Sequence, residues 1–186
     1  MNTQEESQSK EIEKAVKILR GGGVVIFPTD TVYGMGCRYD FGHVIQRIKN
    51  IKKSTQSFPV LISNINQAHK LAVMNPQAMQ LANHYWPGGL TLLVHSKVRD
   101  EKIGLRIPAS KLVIEIIDKL QMPIIGTSAN FHRQPTVSKF EDLDPNLIKV
   151  VDYVIKGECT FKVESTVVDT TVSPVKILRQ GLAKIR

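Results

Sequence analysis

The stretch Val24-Val25-Ile26-Phe27-Pro28-Thr29-Asp30-Thr31-Val32-Tyr33-Gly34-Met35-Gly36 changes character partway along. Four apolar residues bounded by Gly21-Gly22-Gly23 and Pro28 read as a buried strand. The strand empties into a loop with two threonines, an aspartate and a tyrosine beside two glycines. Hydroxyls and close backbone approach suit an anionic or amino-acid ligand. The same residues also fit a turn in which Asp30 and the threonines satisfy their own backbone, so the choice rests on other segments.

Outward from this strand, helical and extended patterns alternate. Ile12, Val16 and Leu19 lie at helical spacing and Gly21 supplies a stop. Val44, Ile48 and Ile51 mark a second amphipathic helix, and Val60-Leu61-Ile62 after Pro59 a strand. Ala78, Leu81, Ala82 and Tyr85 belong to a helix that Trp86-Pro87-Gly88-Gly89 must end, after which residues 90–94 resume extended structure. Residues 103–107 read as a strand and 112–120 as a helix. Pro123-Ile124-Ile125 is a strand ending in Ser128-Ala129-Asn130, and further strands fall near 151–155, 165–168 and 175–178.

With 186 residues, 42% of them hydrophobic, the chain can bury a sizeable core, and we read 1–186 as one domain with its core over about 10–181. No apolar run reaches membrane-span length and residues 1–10 are polar, unlike a signal peptide, so the expectation is a soluble cytoplasmic protein with no membrane partner. Cys37 and Cys159 make no CxxC, and His43, His69, His84, His95 and His132 are scattered. Structural zinc and a disulfide framework are therefore not expected, and the thiols read as buried or idle. The net charge of +8 favours polyanions, but the excess is spread along the chain. Its densest cluster, Arg47, Lys49, Lys52 and Lys53, cannot share one helix face. The simplest account is an α/β fold, a single domain with a twisted mixed sheet flanked by helices. The order is too irregular for a TIM barrel, and neither GxGxxG nor a Walker A loop is present.

Polar groups gather at four strand ends: residues 28–34, Arg106-Ile107-Pro108, Ser128-Ala129-Asn130 and Glu164-Ser165-Thr166. Open α/β sheets collect ligand groups there, which predicts one shared pocket. No GxSxG, triad spacing or metal-binding carboxylate pair stands out, so no catalytic nucleophile and no metal ligand is assigned. Positioning and charge stabilisation remain, as adenylyl or phosphoryl transfer requires once magnesium is carried in with ATP. Arg106 and Arg179 are the candidate forks for phosphate or carboxylate. A serine or asparagine at a strand end is more often a cap than a ligand, whereas an arginine between Leu105 and Ile107 needs an anion if its head points inward. Trp86 reads as a core anchor for its turn. The Tyr33 ring fits either a pocket wall or a cover for the core.

These segments, with Trp86-Pro87-Gly88-Gly89-Leu90-Thr91, Val167-Val168-Asp169 and Leu178-Arg179-Gln180-Gly181, stand in the order found in the YrdC-like family, which the chain resembles from about residue 10 to 181. The resemblance implies a twisted mixed α/β sheet around a deep basic cavity, in the short single-domain form. It further implies a threonylcarbamoyl-adenylate synthase. Such an enzyme converts L-threonine, bicarbonate and ATP to threonylcarbamoyl-AMP and pyrophosphate, and a transferase complex passes the product to an adenosine of tRNA. By position, Thr31, Arg106, Ser128 and Ser165 match residues that hold L-threonine in the family. Asn130, Ser138 and Arg179, with Lys52 and Lys102, match nucleotide-contacting positions.

The segment from Ile51 to Val60 departs from the family's Lys-x-Arg-Pro pattern. Lys52 matches, Ser54 stands where an arginine is expected, Phe58 where a lysine is frequent, and Ser63 where some relatives carry histidine. Lost triphosphate charges typically cost several kcal/mol each unless replaced, for which Lys49 and Lys53 are candidates. The alternatives are a synthase with a rearranged basic loop and a divergent paralogue binding nucleotide or RNA through the same cavity. A purely RNA-binding module gains little from an aromatic content of 6%.

Overall fold

The computed structural model describes residues 3–185. Helix α1 (Thr3–Arg20) precedes β1 (Val25–Phe27) and β2 (Gly34–Gly36), followed by α2 (Gly42–Lys52) and β3 (Val60–Leu61). Then come α3 (Ile65–Leu71), β4 (Ala72–Val73), α4 (Pro76–Tyr85), β5 (Leu90–Ser96), β6 (Lys102–Arg106) and α5 (Lys111–Leu120). The chain continues through β7 (Ile124–Ile125), β8 (Thr127–Ser128), a short 3-10 turn (Phe140–Asp142), α6 (Pro145–Val150), β9 (Tyr153–Val154), β10 (Thr166–Asp169) and β11 (Lys176–Arg179).

The sheet divides in two. One half has the order β8-β2-β1-β9, with β9 parallel to β1 and the other pairs antiparallel. The other runs β11-β10-β5-β6-β3-β7, with β10 parallel to β5 and β6 parallel to β3, while β4 lies against the far end of β5. The expected mixed pairing is present in both halves. They are stitched where the chain leaving β2 meets β7: Ile125 N–H donates to the Cys37 carbonyl at 2.9 Å and Tyr39 N–H to the Pro123 carbonyl at 3.0 Å. Gly36 sits at this seam, where a Cβ would overlap the Ile125 carbonyl.

Strand alternation divides the core. Val25 and Phe27 face one side, where Ile12, Ala15, Val16 and Leu19 of α1 meet Leu112, Val113, Ile116, Ile117 and Leu120 of α5. Val24 and Ile26 face the other side, with Val44 and Ile48 of α2, Ala78 and Ala82 of α4, and Leu90, Leu92 and Leu105. Helices α3 and α6 and strands β2 and β4 are additions to the expected elements, and the single strand expected from 123 to 128 is divided between the two halves as β7 and β8. Asn64 and Asp144 cap the two helices by accepting from Gln67 N–H and Asn146 N–H. Each buries one residue, Ala68 and Leu147, too little to leave a periodic stripe.

Candidate functional site

The ends of β1, β6, β8, β10 and β11 converge on one cavity of about 580 Å³ including its open mouth. Thr29, Thr31, Tyr33, Thr91, Arg106, Ser128, Glu164, Ser165 and Arg179 contribute polar or charged atoms to its wall, with Pro59 and Leu61 on the apolar side. Thr31, Arg106, Ser128, Ser165 and Arg179, scattered over 149 positions of sequence (179 − 31 + 1), thus come together in one place.

Arg106 is the buried centre of the wall. Its Nε donates to the Gly88 carbonyl at 2.9 Å, Nη1 to Thr31 Oγ1 at 2.9 Å and Nη2 to Asp30 Oδ1 at 2.6 Å. Three of five N–H groups are engaged, which leaves two without a partner among the described residues. Burial pushes the guanidinium below its ordinary range while Asp30 pulls it back, and an arginine in this balance stays charged. Thr31 is held in turn by Thr29, whose hydroxyl lies 3.0 Å from Thr31 Oγ1, accepts Thr31 N–H at 3.0 Å and donates to the Val32 carbonyl. The turn reading holds for Thr29, which satisfies the local backbone, while Thr31 and Asp30 address Arg106.

Farther along the same sheet, Ser165 Oγ lies 2.9 Å from Thr91 Oγ1 and accepts from Arg179 Nη2 at 3.2 Å. Arg179 also donates through Nε to the Ser165 carbonyl and through Nη1 to Glu164 Oε1 at 2.8 Å. Gly181 keeps this corner tight, because a Cβ there would overlap the backbone of Glu164 and Ser165.

Ser128 lines another wall, and Asn130, which does not line this cavity, braces it from behind together with Lys52. The Lys52 ammonium donates to the Ser128 carbonyl at 2.7 Å, the Asn130 carbonyl at 2.8 Å and Asn130 Oδ1 at 2.7 Å. Ser128 Oγ donates to the same Asn130 Oδ1 at 2.7 Å. Burial brings the Lys52 pKa down to about 8. Its three protons are occupied, so Lys52 shapes the 128–130 turn in this structure instead of lining the cavity.

The other expected positions lie outside this cavity's wall. Lys102 pairs with Asp169 Oδ2 at 2.9 Å, and Ser138 is half-buried in the segment tied to the first loop by Tyr33 N–H donating to the Val137 carbonyl. Lys49 and Lys53 are also absent from the lining. Lys53, at φ 47°, ends α2 in the left-handed region, and Ser54 N–H closes that turn on the Lys49 carbonyl. Phe58 packs against the core, which accounts for an aromatic ring at this position. Tyr33 does both things open to it: it lines the cavity while fully buried, and its hydroxyl donates to the Gly157 carbonyl and accepts Gly157 N–H. Burial pushes its pKa up to about 12. Trp86 anchors its turn by donating from Nε1 to the Leu90 carbonyl at 2.7 Å.

Thr91, Glu164 and Asp30 belong to the sequence motifs but not to the expected site residues. Asp30 is the one with a legible signal, since a buried arginine requires a counter-charge. Among the described residues, no group of three or more His, Cys, Asp or Glu is placed to hold a metal ion, and no helix is long and apolar enough to cross a membrane.

Comparison with known proteins supports the fold. The Sua5/YciO/YrdC family model, described as telomere recombination, matches residues 17–181. A putative threonylcarbamoyl-AMP synthase of Methanocaldococcus jannaschii is 28% identical over 98% of this chain and 91% of its own. The structure of Escherichia coli YciO superposes with a TM-score of 0.85 at 25% identity, covering 93% of this chain and 90% of that one. Pyrococcus abyssi Sua5 in complex with L-threonine superposes with a TM-score of 0.82 at 30% identity, covering 91% of this chain and 54% of that one. With the family model spanning most of its length and the same fold in both structures, the chain belongs to the Sua5/YciO/YrdC family.

Proposed function

We propose that this protein is a threonylcarbamoyl-AMP synthase, a nucleotidyltransferase that forms threonylcarbamoyl-adenylate and pyrophosphate from L-threonine, bicarbonate and ATP for tRNA threonylcarbamoyladenosine modification. The observation that carries the reading is the Arg106 centre. A buried guanidinium is pinned on three sides, with two N–H groups left over beside the hydroxyls of Thr31, Ser128 and Ser165. That is a receptor for a small hydroxylated carboxylate. The L-threonine complex of a relative with this fold points the same way.

In this reading Arg106 holds the amino-acid carboxylate, and Ser128, Ser165 and Thr31 surround the rest of the molecule. Arg179 and Asn130 face the nucleotide, and Ser138, Lys52 and Lys102 are the further nucleotide-side positions. Magnesium enters on the triphosphate as part of the substrate. The α-amine, once deprotonated, adds to bicarbonate with loss of water to give a carbamate, and the protein's work is to bring the carbamate oxygen and the α-phosphoryl group into line and to neutralise charge as pyrophosphate is displaced. A transferase complex and tRNA receive the product, in the cytoplasm.

Pyrophosphate release from ATP, magnesium and bicarbonate is expected to depend on L-threonine and to fall by at least a hundredfold in Arg106→Ala, since a lost charge-assisted contact costs about 3 kcal/mol or more. ATP binding with no threonine-dependent release in the wild type would instead support a divergent paralogue, disabled where Ser54 and Phe58 replace basic residues.

A further inference from the structure

An α-amino acid brings two charges, and Arg106 answers only one of them. Among the described residues that line the cavity, Glu164 is the sole carboxylate. Its chain position is fixed from both sides. Ser165, next to it, is bound to Thr91 on β5, and Leu182 N–H donates to the Glu164 carbonyl at 2.9 Å. Arg179 Nη1 holds Oε1 at 2.8 Å, whereas Oε2 takes no hydrogen bond among the described residues. The side chain is about one-third exposed, on a residue that lines the cavity. Its charge also opposes the burial-driven lowering of the Lys52 pKa, which lies behind the 128–130 turn.

Resting on the synthase reading above, we propose that Glu164 is the counter-charge for the α-ammonium group of the amino-acid substrate and selects amino acids over otherwise similar hydroxy acids. Arg106 and Glu164 then form the two poles of a zwitterion receptor. Arg179 bridges Glu164 to the nucleotide side, donating to the carboxylate and to Ser165 at once. A carboxylate shared between a guanidinium and an ammonium keeps both oxygens satisfied. Thr31, Ser128 and Ser165 offer hydroxyls that treat amino and hydroxy acids alike, so discrimination by charge falls to Glu164.

The test is isothermal titration of the full chain with L-threonine and with 3-hydroxybutyrate, which keeps the carboxylate and hydroxyl but lacks the ammonium. The wild type is expected to prefer threonine. Glu164→Gln keeps the side-chain length and an oxygen that accepts from Arg179, so its melting temperature should stay near the wild-type value. It should lose about ten- to hundredfold in threonine affinity, the worth of one charge-assisted hydrogen bond, and leave 3-hydroxybutyrate unchanged. Unaltered preference in the variant, or equal losses for both ligands, would overturn the proposal, the second because Glu164 would then act only by holding Arg179. A wild type that binds neither ligand would bring down the synthase reading and this inference with it.

Discussion

Arg106 and Asp30 form the ion pair on which the cavity is built, and their surroundings explain both its strength and its cost. The Asp30 side chain is fully buried, its Oδ1 bonded to Arg106 and its Oδ2 without a hydrogen-bond partner among the described residues. Taking two charges out of water is expensive, and an incompletely satisfied carboxylate recovers less of that cost, so the pair is better explained as positioning than as stabilisation. It aims Arg106 while Thr31 and Gly88 set the plane of its guanidinium. Asp30→Asn keeps the shape and removes the charge, leaving a buried cation unpaired. Loss of about 3–5 kcal/mol in chemical denaturation is expected. Among molecules still folded, KM for threonine should rise more than KM for ATP, whereas a purely structural role would move both together.

Helix α2 reaches the site through its last residue. Lys52 spans from the helix end to the turn after β8 and bonds to three oxygens there, which ties α2 to the 128–130 segment. The expectation that Lys52 contacts nucleotide meets a competing demand from those carbonyls. Its pKa of about 8, below the ordinary 10.5, has a stability consequence whose sign is fixed. Between these values the unfolded chain holds a proton that the folded chain has released, so raising the pH favours the fold. Relative to Lys52→Met, the wild type is expected to gain stability from pH 8 to 10, approaching 2–3 kcal/mol (about 1.4 kcal/mol per pKa unit), and to lose that gain as pH falls through 8. Denaturant titrations of both proteins across this range check it, and parallel curves would contradict it.

Across the whole molecule the basic excess is partly spent inside the fold. Arg47, the arginine of the densest basic cluster, donates to Asp152 Oδ2 at 2.6 Å and to the Val150 carbonyl, joining α2 to the entrance of β9. Asp152 in turn accepts Val24 N–H at the start of β1. The charges of that cluster thus serve separate ends: Arg47 ties elements together, Lys52 braces a turn and Lys53 ends a helix. The cysteines are likewise core residues. Burial raises both thiols, that of Cys37 to about 12. Because reaction requires the thiolate and access, neither should react with an aromatic disulfide reagent in the native protein, and both should react together upon global unfolding. Early modification of Cys159 alone would reveal local opening of the 156–164 segment.

The sequence by itself determined the helices and strands with strong periodic burial. Ile12, Val16 and Leu19 of α1 and the alternating faces of Val24 to Phe27 are written in local spacing, because each residue's side is set by its own backbone geometry. It also carried the ordered polar motifs, since strand ends in an α/β sheet fall at one edge. Tertiary structure alone decided which polar groups share a wall and which are consumed. The joining of the two sheets depends on the close approach of Gly36 to Ile125, 89 positions apart (125 − 36). Lys52 and Lys102 are both lysines on regular elements, yet one is buried among three oxygens and the other pairs with Asp169. Asp30 and Glu164 likewise gained their partners from distant strands. Propensity and periodicity act over a few residues, whereas a counter-charge is chosen by whatever chain packs within about 3 Å, and only the folded topology brings that chain there.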